Sequence, residues 1–249
     1  MGRGDTALEL IGVKPPAASR FERQVAALQG YLRGEDVDLE GFDSRITWLP
    51  VENESKVPVD VFGSGPKVIG AGVRLADRVT VTVGAEQDRV AWAVDTARAA
   101  ATAAGRDPDA LQIGAFVVGC VGTDQGAIDA LVRGNASISA HFQRNVTSTL
   151  TAADADVVDH VTRNYDFYHH GLEHAGQAAD LDAGFLDRFC VVGAPEHCIE
   201  RLQALLKLGL SHLILVGASR DIDPTVRERS DHLLASEVLP ALKELDRTT

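Results

Sequence analysis

Pro58-Val59-Asp60-Val61-Phe62-Gly63-Ser64-Gly65-Pro66-Lys67 is the stretch that decides the fold. Residues 58–62 alternate apolar and polar side chains in the manner of a half-buried strand. Two glycines then break the chain, and 68–75 carries apolar residues at helical spacing. The same grammar of strand, glycine turn and helix recurs downstream. A strand at 79–83 leads to an Ala-rich helix over about 86–104 that stops at Gly105, and a strand at 111–121 leads to a helix over about 124–141. Upstream, Ser19-x-x-Glu22 has the form of a capping box in front of Phe21, Val25, Leu28 and Leu32, a helix over 19–33 closed by Gly34. Repeated units with apolar strands predict an α/β fold in which helices wrap a parallel sheet.

From about 151 to 174 a helical stretch with acidic caps interrupts the rhythm, and 188–192 reads as a short extended piece. The segment over about 140–190 is therefore expected to be a helical insertion in one domain spanning 1–249. The rhythm resumes with a helix over 195–208, the apolar strand His212–Val216 and a closing helix over about 224–245. Only four or five strands are legible, whereas a closed α/β barrel needs eight.

The 249 residues are 45% hydrophobic and 24% charged, enough to bury one sizeable core. The net charge of −12 repels polyphosphate and anionic lipid, so nucleic acid and membrane surfaces are poor partners and a small molecule is the expected one. Three cysteines without a Cys-x-x-Cys pair suggest neither a disulfide framework nor a zinc knuckle, and Cys120, Cys190 and Cys198 read as small core residues. With no signal-peptide-like start and no apolar run of membrane-spanning length, a cytoplasmic location is expected.

Gly63 to Lys67 is the strongest local signal. It leaves a strand and enters a helix whose first amides have no partner within the helix, an arrangement that attracts phosphate. The glycines admit close approach, Pro66 suits the first helical position, Ser64 adds a hydroxyl and Lys67 a charge. The same residues also read as a plain tight turn, and they match neither a Walker loop nor a dinucleotide fingerprint. Gly2 to Ala7 does satisfy Gly-x-Gly-x-x-Ala, but without a strand before it. There Arg3 can fork to an anion and Asp5 can move a proton, or the segment is a frayed terminus. His170-Gly-Leu-Glu173-His174 has the order of one metalloprotease motif, with Gly171 weakening the helix that a zinc site requires. A solvated helix face is the favoured reading, a face at the mouth of the active site the second, and no metal is assigned.

The order of these motifs resembles the bacterial luciferase-like monooxygenases, in the branch of methylenetetrahydromethanopterin reductase. Gly-Arg-Gly-Asp-Thr-Ala, the run from Leu32 to Val37, Val-Pro-Val-Asp-Val with Gly-Ser-Gly-Pro-Lys, and Arg74 to Val79 stand in the family's order. So do Ala104 to Asp109, Val191 to Leu202 and Gly209 to Val216. The resemblance covers essentially the whole chain.

It implies a (β/α)8 TIM barrel that binds coenzyme F-420, an 8-hydroxy-5-deazaflavin, or else FMN at the carboxyl ends of its strands. It also implies an oxidoreductase that moves hydride between that coenzyme and a small organic substrate. By the same resemblance Arg3, Gly4, Gly63, Ser64, Gly65, Lys67 and Gly84 surround the cofactor, and Asp5 is the proton-relaying, catalytic residue. F-420 is the first choice because Arg3-Gly4-Asp5 is closest to that branch. Family members carry about a hundred residues before this loop, so the resemblance implies that the first strands are missing here. Either the chain is a piece of a full barrel, or it is a shortened, non-catalytic paralogue that binds a phosphate-bearing cofactor or serves as a dimerisation module. An incomplete barrel exposes strand edges, and a homo-oligomer is expected.

Overall fold

A computed structural model describes residues 1–4, 6–49 and 56–246, with the side chains of 244–246 outside that description. The alternation at 58–62 becomes strand β3 (Asp60–Gly63). Val61 is fully buried under helices α2 (Ala18–Leu32) and α3 (Pro66–Leu75), together with Phe21, Val25 and Val59. Asp60 and Phe62 fall on the opposite face of the sheet. Gly72 brings α3 down onto the strand, because a Cβ there would lie 2.9 Å from the Val61 side chain.

Four strands lie side by side in the order β3, β4 (Arg78–Val81), β5 (Gln112–Val121) and β7 (His212–Val216), all parallel. The long strand β5 organises them. Its first half pairs with β4 from Arg78↔Gln112 to Val81↔Ala115, and its other edge pairs with β7 from Gly114↔His212 to Val118↔Val216. The fifth parallel strand, β6 (Cys190–Gly193), pairs with Val118 to Val121. Since Val118 is already matched to Val216, β6 lies on the β4 edge of β5, beyond the end of β4.

Helices α4 (Gln87–Ala103) and α9 (Pro195–Leu206) cover one face of this arc through Val90, Ala93, Ala97, Leu202 and Leu205, which are all buried with Val79, Val81, Ala115 and Val117. The helix α5 (Gln125–Phe142) packs with α6 (Ala152–Arg163), the short α7 (Gly176–Ala179) and α8 (Ala183–Phe189) into a second core around Phe185 and Phe189. No helix among the described residues is long and apolar enough to cross a membrane.

Four local readings are corrected by the structure. The capping box does not form: α2 starts at Ala18 behind Pro15-Pro16, no side chain caps it, and the Glu22 carboxylate goes to Arg74 at 2.7 Å instead. The helical stretch ends at Arg163, because Asp166 accepts from the Tyr168 amide to cap a 3-10 turn and Gly171 turns the chain at φ 74°. Arg188 belongs to α8, whose amide at Phe185 is capped by Asp182 at 2.7 Å. The closing helix divides into α10 (Pro224–Leu233), a π turn (Leu234–Val238) and α11 (Leu239–Asp246). The polar loop after α2 holds an antiparallel hairpin, β1 (Val37–Leu39) and β2 (Phe42–Ser44), turned by Glu40 and Gly41 at φ 57° and 87°.

Candidate functional site

The carboxyl ends of β3 and β4, with the middle of β5, open into a cavity of about 430 Å³, in the usual range for a small-molecule site. Its walls come from segments far apart in sequence. The terminal loop contributes Gly2, Arg3 and Gly4, and β3 with its turn contributes Phe62, Gly63 and Ser64. Thr82 follows β4, Phe116 stands on β5, and the end of α5 supplies Phe142, Arg144 and Asn145. Phe62 and Phe116 meet edge to face, with ring centroids 5.9 Å apart, and form part of the apolar lining with Phe142, Val68 and Pro15.

The terminal loop is tied down rather than frayed. The Met1 carbonyl accepts from the Phe62 amide at 2.8 Å, and the Met1 ammonium donates to the Asp60 carbonyl. Arg3 Nε donates to the Pro16 carbonyl at 2.9 Å, which fixes the stem of a guanidinium that lines the cavity. After Gly4, α1 (Thr6–Glu9) makes a single turn. Asp5, the residue expected to relay a proton, lies outside the described residues.

At the glycine turn, Gly65 is the N-cap of α3 and Pro66 takes its first position, as expected from the sequence. A Cβ on Gly63 would crowd the Ile69 amide at 3.1 Å, so this glycine lets the turn close over the helix start. Ser64 Oγ donates to the Phe142 carbonyl at 3.0 Å, which joins the turn to the end of α5. Arg3, Gly4, Gly63 and Ser64 thus meet on one cavity. The other three cofactor candidates stand apart from its lining. Lys67 is exposed on the first turn of α3, a Cβ on Gly65 would touch Val146 at 3.0 Å, and Gly84, at φ 86°, faces Phe189.

The lining holds two cations, Arg3 and Arg144, and no carboxylate among the described residues. Arg144 Nη1 donates to the His141 carbonyl at 3.0 Å. Behind this wall Arg89 is buried, donating to the Val83 carbonyl, Thr149 Oγ1 and Gln143 Oε1 at 3.0, 2.6 and 2.7 Å, with its guanidinium over the Phe189 ring. Burial lowers its pKa to about 10. Gln143 in turn donates to the Thr82 carbonyl at 2.8 Å, so the α5 end is clamped to the β4 end. On the sheet face below, Thr80 Oγ1 donates to Asp60 Oδ2 at 2.7 Å and stands 3.1 Å from His212 Nε2.

The two histidines of the metalloprotease-like motif part company. His170 Nδ1 lies 2.7 Å from Thr6 Oγ1 and 2.8 Å from Tyr165 Oη, whereas His174 pairs with Asp221. Neither sits on a helix, and no group of three metal-ligating side chains occurs among the described residues. The three cysteines are buried and unpaired with one another. Burial pushes the thiols of Cys120 and Cys198 up to about 12 and about 11, and that of Cys190 further in the same direction.

Sequence reasoning missed Phe62, Thr82, Phe116, Phe142, Arg144 and Asn145. The alternation along β3 and β5 assigns Phe62 and Phe116 to the same face, but no spacing links Arg144 to Arg3.

Residues 1–212 match the luciferase-like monooxygenase family. The chain belongs to that family. Among curated relatives, 5,10-methylenetetrahydromethanopterin reductase of Methanolobus tindarius is 24% identical over 225 residues, which are 88% of this chain and 65% of the relative. The chain therefore spans just under two thirds of that relative's length. Among solved structures, the coenzyme F420 dependent tetrahydromethanopterin reductase of Methanopyrus kandleri superposes with a TM-score of 0.70 at 18% identity, covering 96% of this chain and 72% of that one. An F420-dependent secondary alcohol dehydrogenase gives 0.68 at 16% identity, covering 96% and 68%. The fold is thus that of the luciferase-like TIM barrels. The four adjacent parallel strands, with β6 on their rim, form an arc of such a barrel.

Proposed function

We propose that this chain carries the phosphate-binding side of an oxidoreductase that transfers hydride between coenzyme F-420 and a small organic substrate, with FMN as the alternative coenzyme. One observation carries the reading: a cavity at the carboxyl ends of β3 and β4 and over the middle of β5, lined by Arg3, Arg144, a glycine turn and three phenylalanines. That donor set fits a planar ring bearing a phosphate. The named chemistry of the F420-dependent proteins of like fold favours the deazaflavin.

In this reading Arg3 and Arg144 offset the phosphate charge, Ser64 holds the turn to the end of α5 through the Phe142 carbonyl, and Gly63 lets the backbone approach. Phe62 and Phe116 exclude water from one side of the ring. Bound there, the coenzyme supplies the carbon or nitrogen centre that accepts or gives up hydride. Asp5 is assigned the proton that balances the transfer.

The half-exposed strand β7 favours a second reading, a binding or dimerisation module without turnover. Fluorescence titration with F-420 and with FMN, followed by a steady-state assay of coenzyme oxidation, separates the two. Binding with turnover supports the oxidoreductase, binding without turnover supports the module, and failure to bind either coenzyme overturns both.

A further inference from the structure

Close in sequence to Gly4 and Phe142 of the cavity lining, four side chains from three segments are assembled into one cluster. Thr6 opens α1, Tyr165 and His170 lie in the loop after α6, and His141 stands on the last turn of α5. His170 Nδ1 lies within hydrogen-bond distance of both the Thr6 and the Tyr165 hydroxyls, at 2.7 and 2.8 Å. Tyr165 is only 9% exposed and is stacked on the His141 ring at 4.0 Å, with Phe167 edge-on to both. The loop that carries His170 is itself anchored: the Gly171 carbonyl accepts from the Arg220 amide, and the His170 carbonyl accepts from the Arg220 guanidinium at 2.5 Å.

We infer that His170 is a positioning and proton-exchanging residue of the site, coupled to the Gly4–Thr6 loop through the Thr6 hydroxyl and oriented by Tyr165. This rests on the reading of the cavity as a hydride-transfer site. When a carbon–heteroatom double bond gains hydride at carbon, the heteroatom must gain one proton, and the reverse reaction releases one. Solvent is the ultimate source or sink. Asp5 passes the proton to or from the substrate, and an imidazole whose Nδ1 meets two hydroxyls, one of them on Thr6 next to Asp5 in the chain, can exchange that proton with water. The half-buried position of His170, with Tyr165 covered and His170 partly open, gives the relay one face on the loop and one on solvent.

The charged and titratable groups around it come from every packed segment. Glu9 lies on α1, and His141 stands behind Tyr165. Within the loop itself are the Asp166–His169 pair and His174 paired with Asp221, and Arg220 reaches in from the segment after β7.

His170→Asn separates the two roles, because the amide keeps a hydrogen-bonding atom near the Nδ1 position but carries no exchangeable charge. The expected result with F-420 or FMN is a fall in turnover of at least tenfold, coenzyme affinity within twofold of wild type, and loss of one limb of the pH profile. In His170→Ala, added imidazole restores turnover. Independently of turnover, the imidazole ¹⁵N signals of His170 shift when coenzyme is added to the wild-type chain, and their tautomer pattern changes in Tyr165→Phe. A His170→Asn variant with wild-type rate and pH profile overturns the inference, as does an imidazole signal that ignores both coenzyme and Tyr165→Phe. If neither coenzyme binds wild type, the underlying site reading fails first, and the inference falls with it.

Discussion

Gly114 on β5 and His212 on β7 are register partners, and the imidazole of His212 lies directly over the bare Cα of Gly114. A methyl group at position 114 would overlap the ring. The ring must remain there to meet Thr80 at 3.1 Å and to face Asp60, 3.7 Å away, across the inner face of the arc. Gly114→Ala is therefore expected to destabilise the fold by about 1–3 kcal/mol through overpacking, read as a lower urea midpoint with an unchanged slope. An unaltered midpoint would mean that His212 has room to move aside.

The cavity predicts an ordered series of affinities. Arg3→Gln should weaken coenzyme binding by roughly 1–2 kcal/mol, the scale of one hydrogen bond to a charged group, and Ser64→Ala, which frees the glycine turn from the Phe142 carbonyl, should weaken it less. Lys67→Gln, on an exposed position outside the lining, should change it far less. Equal affinities for all three variants in the fluorescence titration would remove the cavity as the coenzyme site.

A pH-dependent latch holds the loop after α6. The Asp221 carboxylate accepts from the Glu173 and His174 amides at 2.7 and 3.2 Å and pairs with the His174 ring. Burial raises its pKa, but these three partners outweigh burial, and the net shift is downward. A carboxylate with a lowered folded pKa adds stability above its unfolded value, about pH 4, and loses it as pH falls through the folded value. Melting temperatures of wild type and Asp221→Asn should differ at pH 6–7 and converge toward about pH 2–3. A constant gap across that range would show that the ionised carboxylate is not what holds the loop.

Arg89 joins three acceptors from three segments, and no lysine can reproduce that fork. Arg89→Lys should cost about 2–3 kcal/mol, because Gln143 and Thr149 lose a charged donor in a buried setting. Chemical denaturation measures the loss. A variant as stable as wild type would indicate that Gln143 alone fastens α5 to β4.

Strand β7 is half-exposed at all five positions. Leu213 and Leu215 pack on the main core, which leaves Ile214 on the other face of the arc. Among the described residues β7 pairs only with β5, and such a parallel edge beside an apolar face favours self-association, since each 100 Å² of apolar surface buried contributes about 2.5 kcal/mol. The 249-residue chain is expected to scatter light as an oligomer, and Ile214→Lys should shift it toward monomer. A monodisperse wild-type monomer would contradict this.

The sequence by itself determined the strand–turn–helix grammar, because those signals are local. Alternation at 58–62 buries Val61 on its own strand, and Pro66 behind two glycines starts α3 with no help from distant residues. The start of the helix at the glycine turn was legible for the same reason, and so was the covered state of the cysteines. The terminal loop, open between an anion fork and a frayed end in the sequence, is instead held by contacts to Asp60, Phe62 and Pro16. Only the tertiary structure decided where Glu22, Arg144 and His170 act. Glu22 abandons a local cap for Arg74, 52 positions away, and His170 reaches Thr6 across 164 positions. Arg144 comes to the same cavity as Arg3 only because α5 is clamped onto the end of β4. Such contacts depend on which segments pack together. Side-chain spacing along one strand or helix carries no record of that.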